Sequence, residues 1–354
     1  MTTFDRAFKS FHEVRVGASN DHKVCVASRL AGGSDPLHCI IDSSDVVVEN
    51  FSARVMRSLG LDYASLSSNH PGLIMLSMSG LGRSGPGSDF VAYGSLLQAY
   101  GGWLSELGMV LPNDSIVGER PRGIRPAWTD QSAGAAGALG ILASLNHRGR
   151  HGSGVYLDLS MLESLMLSQA VGLADLADSS VDFGSRLNTS SRVAPHGCYQ
   201  CTGDDEWVAI AAYDEVQWQA LAHVIGRDDL SKELTDHTAR QRSLALVDEA
   251  ITAWTKPQSA DQIVDRLIRI GVPCARSHSL WSLLEEPGFA SRGLFAEAAP
   301  GFHVIGLPWR DAQLARGQMA MAPEVGEHTV EVLGEVLNLD TEEVARLAKL
   351  GVLE

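Results

Sequence analysis

Nowhere in this 354-residue chain does an apolar run approach the roughly 20 residues that a bilayer-spanning helix needs. The opening residues, Met1 to Lys9, also lack the apolar core of a secretory leader. No block of Lys or Arg occurs, and the formal net charge is -15. An acidic surface argues against general binding to nucleic acid or to anionic lipid, while leaving room for a local basic pocket around a phosphorylated ligand. A disulfide framework is missing too. The five cysteines, Cys25, Cys39, Cys198, Cys201 and Cys274, are odd in number and widely scattered. That usage fits a reducing cytoplasm. There is no internal repeat and no low-complexity tract.

Several chemistries lack their signatures. Cys198-Tyr-Gln-Cys201 has metal or redox spacing, but a zinc site would want a second such pair. A thioredoxin-like pair opens a helix, whereas this one lies in a predicted strand, so both cysteines are read as packing residues. His22, His38, His70, His223 and His237 stand alone. His147 and His151 are four apart, yet Gly149 between them predicts a helix end, so they read as solvated loop residues rather than a metal pair. No metal site is expected. No Gly-x-Ser-x-Gly elbow supports serine hydrolysis. Gly80-Leu-Gly82-Arg-Ser-Gly85 has the spacing of a dinucleotide fingerprint and follows a strand. Pro86 comes next and no helix opens there, so a nicotinamide site is not expected. A loop whose bare backbone approaches a ligand remains an open reading.

What is present is strand–helix alternation. Asp45-Val-Val-Val-Glu49 and Leu73-Ile-Met-Leu-Ser-Met78 read as buried strands of a parallel sheet. Helices are expected over Ser52–Leu59, closed by Gly60, and over Tyr93–Gly102. Residues 103–127 read as irregular, with three prolines. Gln131–His147 reads as a small-residue helix that packs closely. Gly154–Ser160 reads as a strand and Met161–Ala177 as a helix. The pattern predicts an α/β sheet and a chain long enough for two domains. After a polar linker over 178–195 the texture changes. Cys198 to Ile210 reads as a hairpin turning at Gly203-Asp-Asp, followed by helices to about residue 285 and a charged helix over 340–349.

Asp130 stands where the Pro/Arg-rich loop becomes the small-residue helix. The positive end of a helix dipole stabilises a carboxylate there. The end of a loop is also where α/β proteins keep reactive groups. Taken alone, Asp130 has an ordinary reading as a helix cap.

Further motifs come in a definite order: Asp45-Val-Val-Val-Glu-Asn-Phe51, Leu59-Gly-Leu-Asp-Tyr63, Ser79 to Pro86, Ala92-Tyr93, Gln98-Ala99, Asp130-x-x-x-Gly134, Gly154 to Glu163, His196-Gly-Cys-Tyr199, Trp207-Val-Ala-Ile, Gly271-Val-Pro273 and Gly326-Glu-His-Thr329. In this order the chain resembles the class III CoA-transferase family, which includes formyl-CoA transferase, carnitine CoA-transferase and α-methylacyl-CoA racemase. The resemblance runs from about Asn20 to the C-terminus. It implies a large Rossmann-like parallel-sheet domain over 1–177 that binds CoA, the linker, and a smaller α+β domain over 196–300. Residues 301–354 would return to the large domain.

The resemblance also implies an interlocked dimer and a cytoplasmic enzyme with no permanently bound cofactor, using coenzyme A or acyl-CoA as substrate with a small carboxylic acid as partner. The catalytic carboxylate falls on Asp130. Lys23, Asn50 and Phe51 match positions around the CoA phosphates and nucleotide. Backbone groups of Gly80, Gly82 and Gly85 are candidate oxyanion donors, and Tyr93 is a further substrate-side residue.

The racemase branch carries a His-Asp pair at the position of Tyr93-Gly94, so a transferase is the leading expectation. Three departures stand beside it. Gly94 replaces an acid found in many transferases. Ser52-Ala53 replaces a basic residue and proline. The family's opening strand–helix–strand needs about 30 residues, more than Met1–Ser19 supplies. An accessory subunit, pairing with a full-length homologue in a heterodimer, is therefore the third reading, after transferase and racemase or epimerase.

Overall fold

The computed structural model describes residues 12–17, 23–28, 40–103, 128–170, 174, 189–190, 192–306 and 326–349. These fall into two compact units. One holds the described residues up to 103, 128–174 and 293–349, and the other holds 189–292.

The first unit begins with an antiparallel pair, β1 (His12–Gly17) and β2 (Lys23–Ser28), which the sequence patterns did not predict. Its centre is a three-stranded parallel sheet ordered β3 (Val46–Glu49), β4 (Ile74–Ser79), β5 (Val155–Ser160). Both crossovers are helical, as parallel neighbours require. The first carries α1 (Val55–Ser58) and α2 (Tyr63–Ser67). The second carries α3 (Gly94–Tyr100) and α4 (Trp128–His151). This is the α/β architecture expected from the alternation. β4 is the buried strand, with Ile74, Met75 and Leu76 at most 2% exposed. β3 departs from expectation. It is the outer strand of the described sheet and Val48 is 52% exposed, so its apolar run is covered only in part.

Helix α4 is longer than the sequence pattern predicted. It continues through Gly149 to His151, so His147 and His151 lie on one helix face, rings 4.4 Å apart, rather than in a loop. Glycine inside a helix costs about 1 kcal/mol, and the surrounding twenty-odd helical residues carry it. α5 (Met161–Leu167) is capped by Ser160, whose Oγ accepts from Glu163 N at 3.2 Å. It closes well before Ala177; residues 171–173 and 175–188, with most of the predicted linker, lie outside the described set, as does 104–127.

The second unit opens with the predicted hairpin, β6 (His196–Gln200) and β7 (Trp207–Ala211), turning through Gly203 at φ 119° and Asp205 at φ 55°. Helices α6 (Glu215–Val224), α7 (Asp228–Glu233), α8 (His237–Arg242), α9 (Leu244–Thr255) and α10 (Ala260–Arg269) follow. A third strand, β8 (Cys274–Arg276), joins β7, and α11 (Leu280–Glu285) and α12 (Pro287–Arg292) end the unit. Trp218, Leu221, Ile251, Ile263 and Leu267 are completely buried in its core. Arg240, also buried, donates to Ala194 O and pairs with both oxygens of Glu215.

Cys201 is packed as expected, but Cys198 is exposed, because strand alternation turns it to the opposite face. Burial pushes the Cys274 thiol up to about 12.

The chain then returns to the first unit with a second unpredicted hairpin, β9 (Phe295–Ala299) and β10 (Phe302–Ile305). α13 (Thr329–Leu337) and the charged α14 (Thr341–Lys349) follow. Leu333 and Val344 of these helices pack on Ile40. No helix among the described residues is long and apolar enough to cross a membrane.

Candidate active site

The direction of α4 places Asp130. Gly137 lies so close to the sheet that a Cβ there would stand 2.8 Å from Leu76 Cδ2 and 3.3 Å from Met78 Sδ. One turn on, Gly140 faces Leu157. At the far end, Arg148 reaches Asp45 Oδ1 at 2.8 Å and Gly72 O at 3.0 Å, residues that precede β3 and β4. The helix therefore runs antiparallel to the strands. Its N-terminus emerges at their carboxyl ends, about 10 Å beyond Gly137 at 1.5 Å per residue. Ligands of open α/β sheets bind at that edge. The small-residue face explains the close approach, since no side chain intervenes.

In the first turn Trp128 is half exposed, Thr129 is fully buried and Asp130 is exposed. Thr129 Oγ1 donates to Gly94 O at 3.1 Å, which fastens the start of α4 to the start of α3. Tyr93 and Asp130 are thus each one residue from the same hydrogen bond. Tyr93 caps α3 from an extended backbone and is 79% exposed. The protein around Asp130 raises its carboxyl above the ordinary aspartate value, because partial desolvation disfavours the anion.

The glycine loop leaves β4 at the same edge. Gly82 and Gly85 adopt φ of 83° and 84°, a left-handed region that favours residues without a Cβ. Gly80 has Ala92 Cβ only 3.2 Å from where its own Cβ would be, and its carbonyl accepts from Leu162 N at 3.0 Å. Among the loop's amides, that of Arg83 already donates to Asp158 Oδ1 at 2.7 Å. That commitment removes it from the candidate oxyanion donors.

The Asn50–Phe51 turn follows β3. Asn50 is exposed, and Phe51 is half-buried against the cluster formed by Ile41, Met56, Leu61 and Leu66. Phe51 N donates to Glu49 Oε2 at 3.0 Å. Lys23 opens β2, opposite Gly17; its side chain lies outside the described set. The structure thus brings Tyr93 and Asp130 together and sets the glycine loop and Asn50–Phe51 at the ends of neighbouring strands. Sequence reasoning did not single out the buried ion pair of Arg83 with Glu49, the Asp158 clamp or the Thr129 bond. A signal existed for Glu49, an acid closing an apolar strand. For Arg83, Asp158 and Thr129, the partner is 34 to 75 residues away.

The family model described as CoA-transferase family III matches residues 16–329. The chain belongs to that family. It is 27% identical over 342 residues to a succinyl-CoA–D-citramalate CoA-transferase of Chloroflexus aurantiacus, spanning 95% of this chain and 83% of that one. It is 29% identical over 346 residues to the alpha subunit of a succinyl-CoA–L-malate CoA-transferase of Chloroflexus aurantiacus, spanning 95% and 78%. Its fold resembles the crystal structure of a CaiB/BaiF family protein from Brucella suis, with a TM-score of 0.75, 24% identity and coverage of 85% of this chain and 78% of the other. The expected family and the α/β class both stand, and the enzyme is a CoA-transferase that uses CoA as a substrate. Among the described residues, no three His, Cys, Asp or Glu side chains converge as a metal site.

Proposed function

We propose that Asp130 is the nucleophile that carries CoA from an acyl-CoA to a small carboxylic acid. A transferase must retain the thioester's energy rather than lose it to water. The Asp130 carboxylate attacks the thioester carbonyl and expels CoA thiolate, leaving an acyl–aspartyl mixed anhydride. The thiolate then attacks the aspartyl carbonyl, expels the acyl group as its carboxylate and leaves an aspartyl–CoA thioester. An incoming carboxylate displaces the thiolate to form a second anhydride. The thiolate finally takes the acceptor's acyl group and frees Asp130.

The observation that carries this reading is the placement of Asp130. It is a carboxylate at a helix N-terminus, on the carboxyl edge of a parallel sheet, beside Tyr93 and on the edge from which the glycine loop emerges. Backbone groups of Gly80, Gly82 and Gly85 are suited to oxyanions, and Lys23, Asn50 and Phe51 to the CoA nucleotide. The relatives' named substrates make succinyl-CoA the first donor to test, with malate and citramalate as acceptors.

Incubation with succinyl-CoA, hydroxylamine trapping and mass spectrometry are expected to place an adduct on Asp130. Asp130→Asn should lose more than about a thousand-fold in kcat, in the range typical of removed nucleophiles, while still binding CoA. CoA binding without any adduct at Asp130 would sink the proposal.

A multi-subunit assembly is the second reading, favoured by the similarity to a relative named as an alpha subunit. Activity that appears only after a homologous chain is added would establish it.

A further inference from the structure

At the carboxyl edge of the sheet lies a buried ion pair, Arg83 with Glu49 of β3, and the exposed Asp158 of β5 holds the backbone of the same loop. The side chain of Arg83 is 10% exposed and that of Glu49 is 3% exposed. A single guanidinium nitrogen makes the side chain's three hydrogen bonds. Arg83 Nη2 donates to Glu49 Oε1 at 2.6 Å, to Glu49 Oε2 at 2.7 Å and to Phe51 O at 2.8 Å. Nε and Nη1 are buried without a hydrogen bond. The backbone of Arg83 is held as well, through its N–H on Asp158 Oδ1, while Ser84 Oγ lies 3.4 Å from Asp158 Oδ2. Arg83 stands between Gly82 and Gly85, both in the left-handed region and therefore in the most permissive part of the loop.

A buried ion pair is a poor source of stability. Desolvating two charges costs about as much as their attraction returns, and a well-packed apolar pair is often as stable. What this cluster does supply is geometry. It removes the freedom of a glycine loop at two points and ties that loop to the Asn50–Phe51 turn of the neighbouring strand.

We infer that Arg83 is a positioning residue for acyl-CoA. It holds the 80–87 loop and the Asn50–Phe51 turn in one fixed relation before the substrate arrives. The inference rests on the reading that these two segments face CoA. A loop that must be ordered on binding charges the ordering to affinity. The loss of Arg83 therefore weakens acyl-CoA binding and leaves the chemical step at Asp130 largely intact.

The test is steady-state kinetics and calorimetric CoA binding on the full chain with Arg83→Met and Arg83→Lys. For Arg83→Met, KM for acyl-CoA and Kd for CoA are expected to rise about ten-fold or more, with kcat within about three-fold, the pattern of lost ground-state binding. Because only Nη2 is used, a lysine ammonium with three donors satisfies the same three acceptors, so Arg83→Lys should recover most of the loss. An unchanged KM in folded Arg83→Met, or a fall in kcat at constant KM, overturns the inference and leaves the transferase reading standing. Equal losses in both variants, matched by lowered thermal midpoints, overturn it in favour of plain packing. Parent protein that binds no CoA overturns both readings. Should Arg83→Met fail to fold, Glu49→Gln carries the test, with the same rise in KM expected and an unchanged KM refuting it.

Discussion

Asp130 is subject to two opposed influences. The helix N-terminus favours its anion, while the protein around it raises its carboxyl above the ordinary value of 3.8, and desolvation is the cause of that rise. With Asp130 as the proposed nucleophile, the reactive form is the anion, so transfer is expected above the raised pKa and lost as pH falls through it. The acid limb of the kcat/KM profile is therefore expected above pH 3.8, and a limb at or below that value would contradict the local environment seen here. Stability has the opposite sign. A group whose folded pKa is raised contributes stability below its unfolded pKa and loses it as pH rises through the folded one. Asp130→Asn should therefore gain stability relative to the parent at neutral pH, with the gap closing in acid. Denaturation midpoints of the two proteins across pH measure this directly.

At the scale of the element, α4 depends on where its glycines face. Gly137 meets Leu76 and Met78 closely, whereas Gly134, three residues earlier, has nothing within 4 Å of where a Cβ would stand. Gly134→Ala should stabilise by up to about 1 kcal/mol through helix propensity alone. Gly137→Val should destabilise by about 1–3 kcal/mol, because the overpacked helix must move off the sheet. Urea denaturation of both variants decides the matter. Movement of α4 also shifts Asp130, so the Gly137 variant is expected to lose activity in excess of its loss of folded protein.

For the whole molecule, the described surface of the first unit carries large apolar side chains that a partner would cover. Tyr93, Tyr100, Leu139, Leu142 and Leu167 are all more than 60% exposed. Large apolar side chains left in water are candidates for an interface. Sedimentation equilibrium is expected to give twice the 37.9 kDa chain mass. A monomer that becomes active and larger only with a homologous chain would assign the assembly to the heteromeric reading instead.

The sequence by itself determined the local elements and the family. Apolar β-branched runs specified β3 and β4, Asp and Ser caps opened the helices, and ordered motifs such as Glu49-Asn-Phe51 and Ser79 to Pro86 carried the identification. These signals lie within a few residues of one another, and side-chain period and turn chemistry encode them directly. The two short hairpins, β1–β2 and β9–β10, were missed, although Glu13-Val14-Arg15-Val16 alternates; strands of four to six residues give too short a run to stand out. Tertiary structure alone decided that Thr129 would hold Gly94, that α4 would place Asp130 at the carboxyl edge, and that Arg83 would bury its charge on Glu49. Those contacts join residues 34 and 35 apart in the chain, and helix packing and strand register make them neighbours. No local pattern records such a distance.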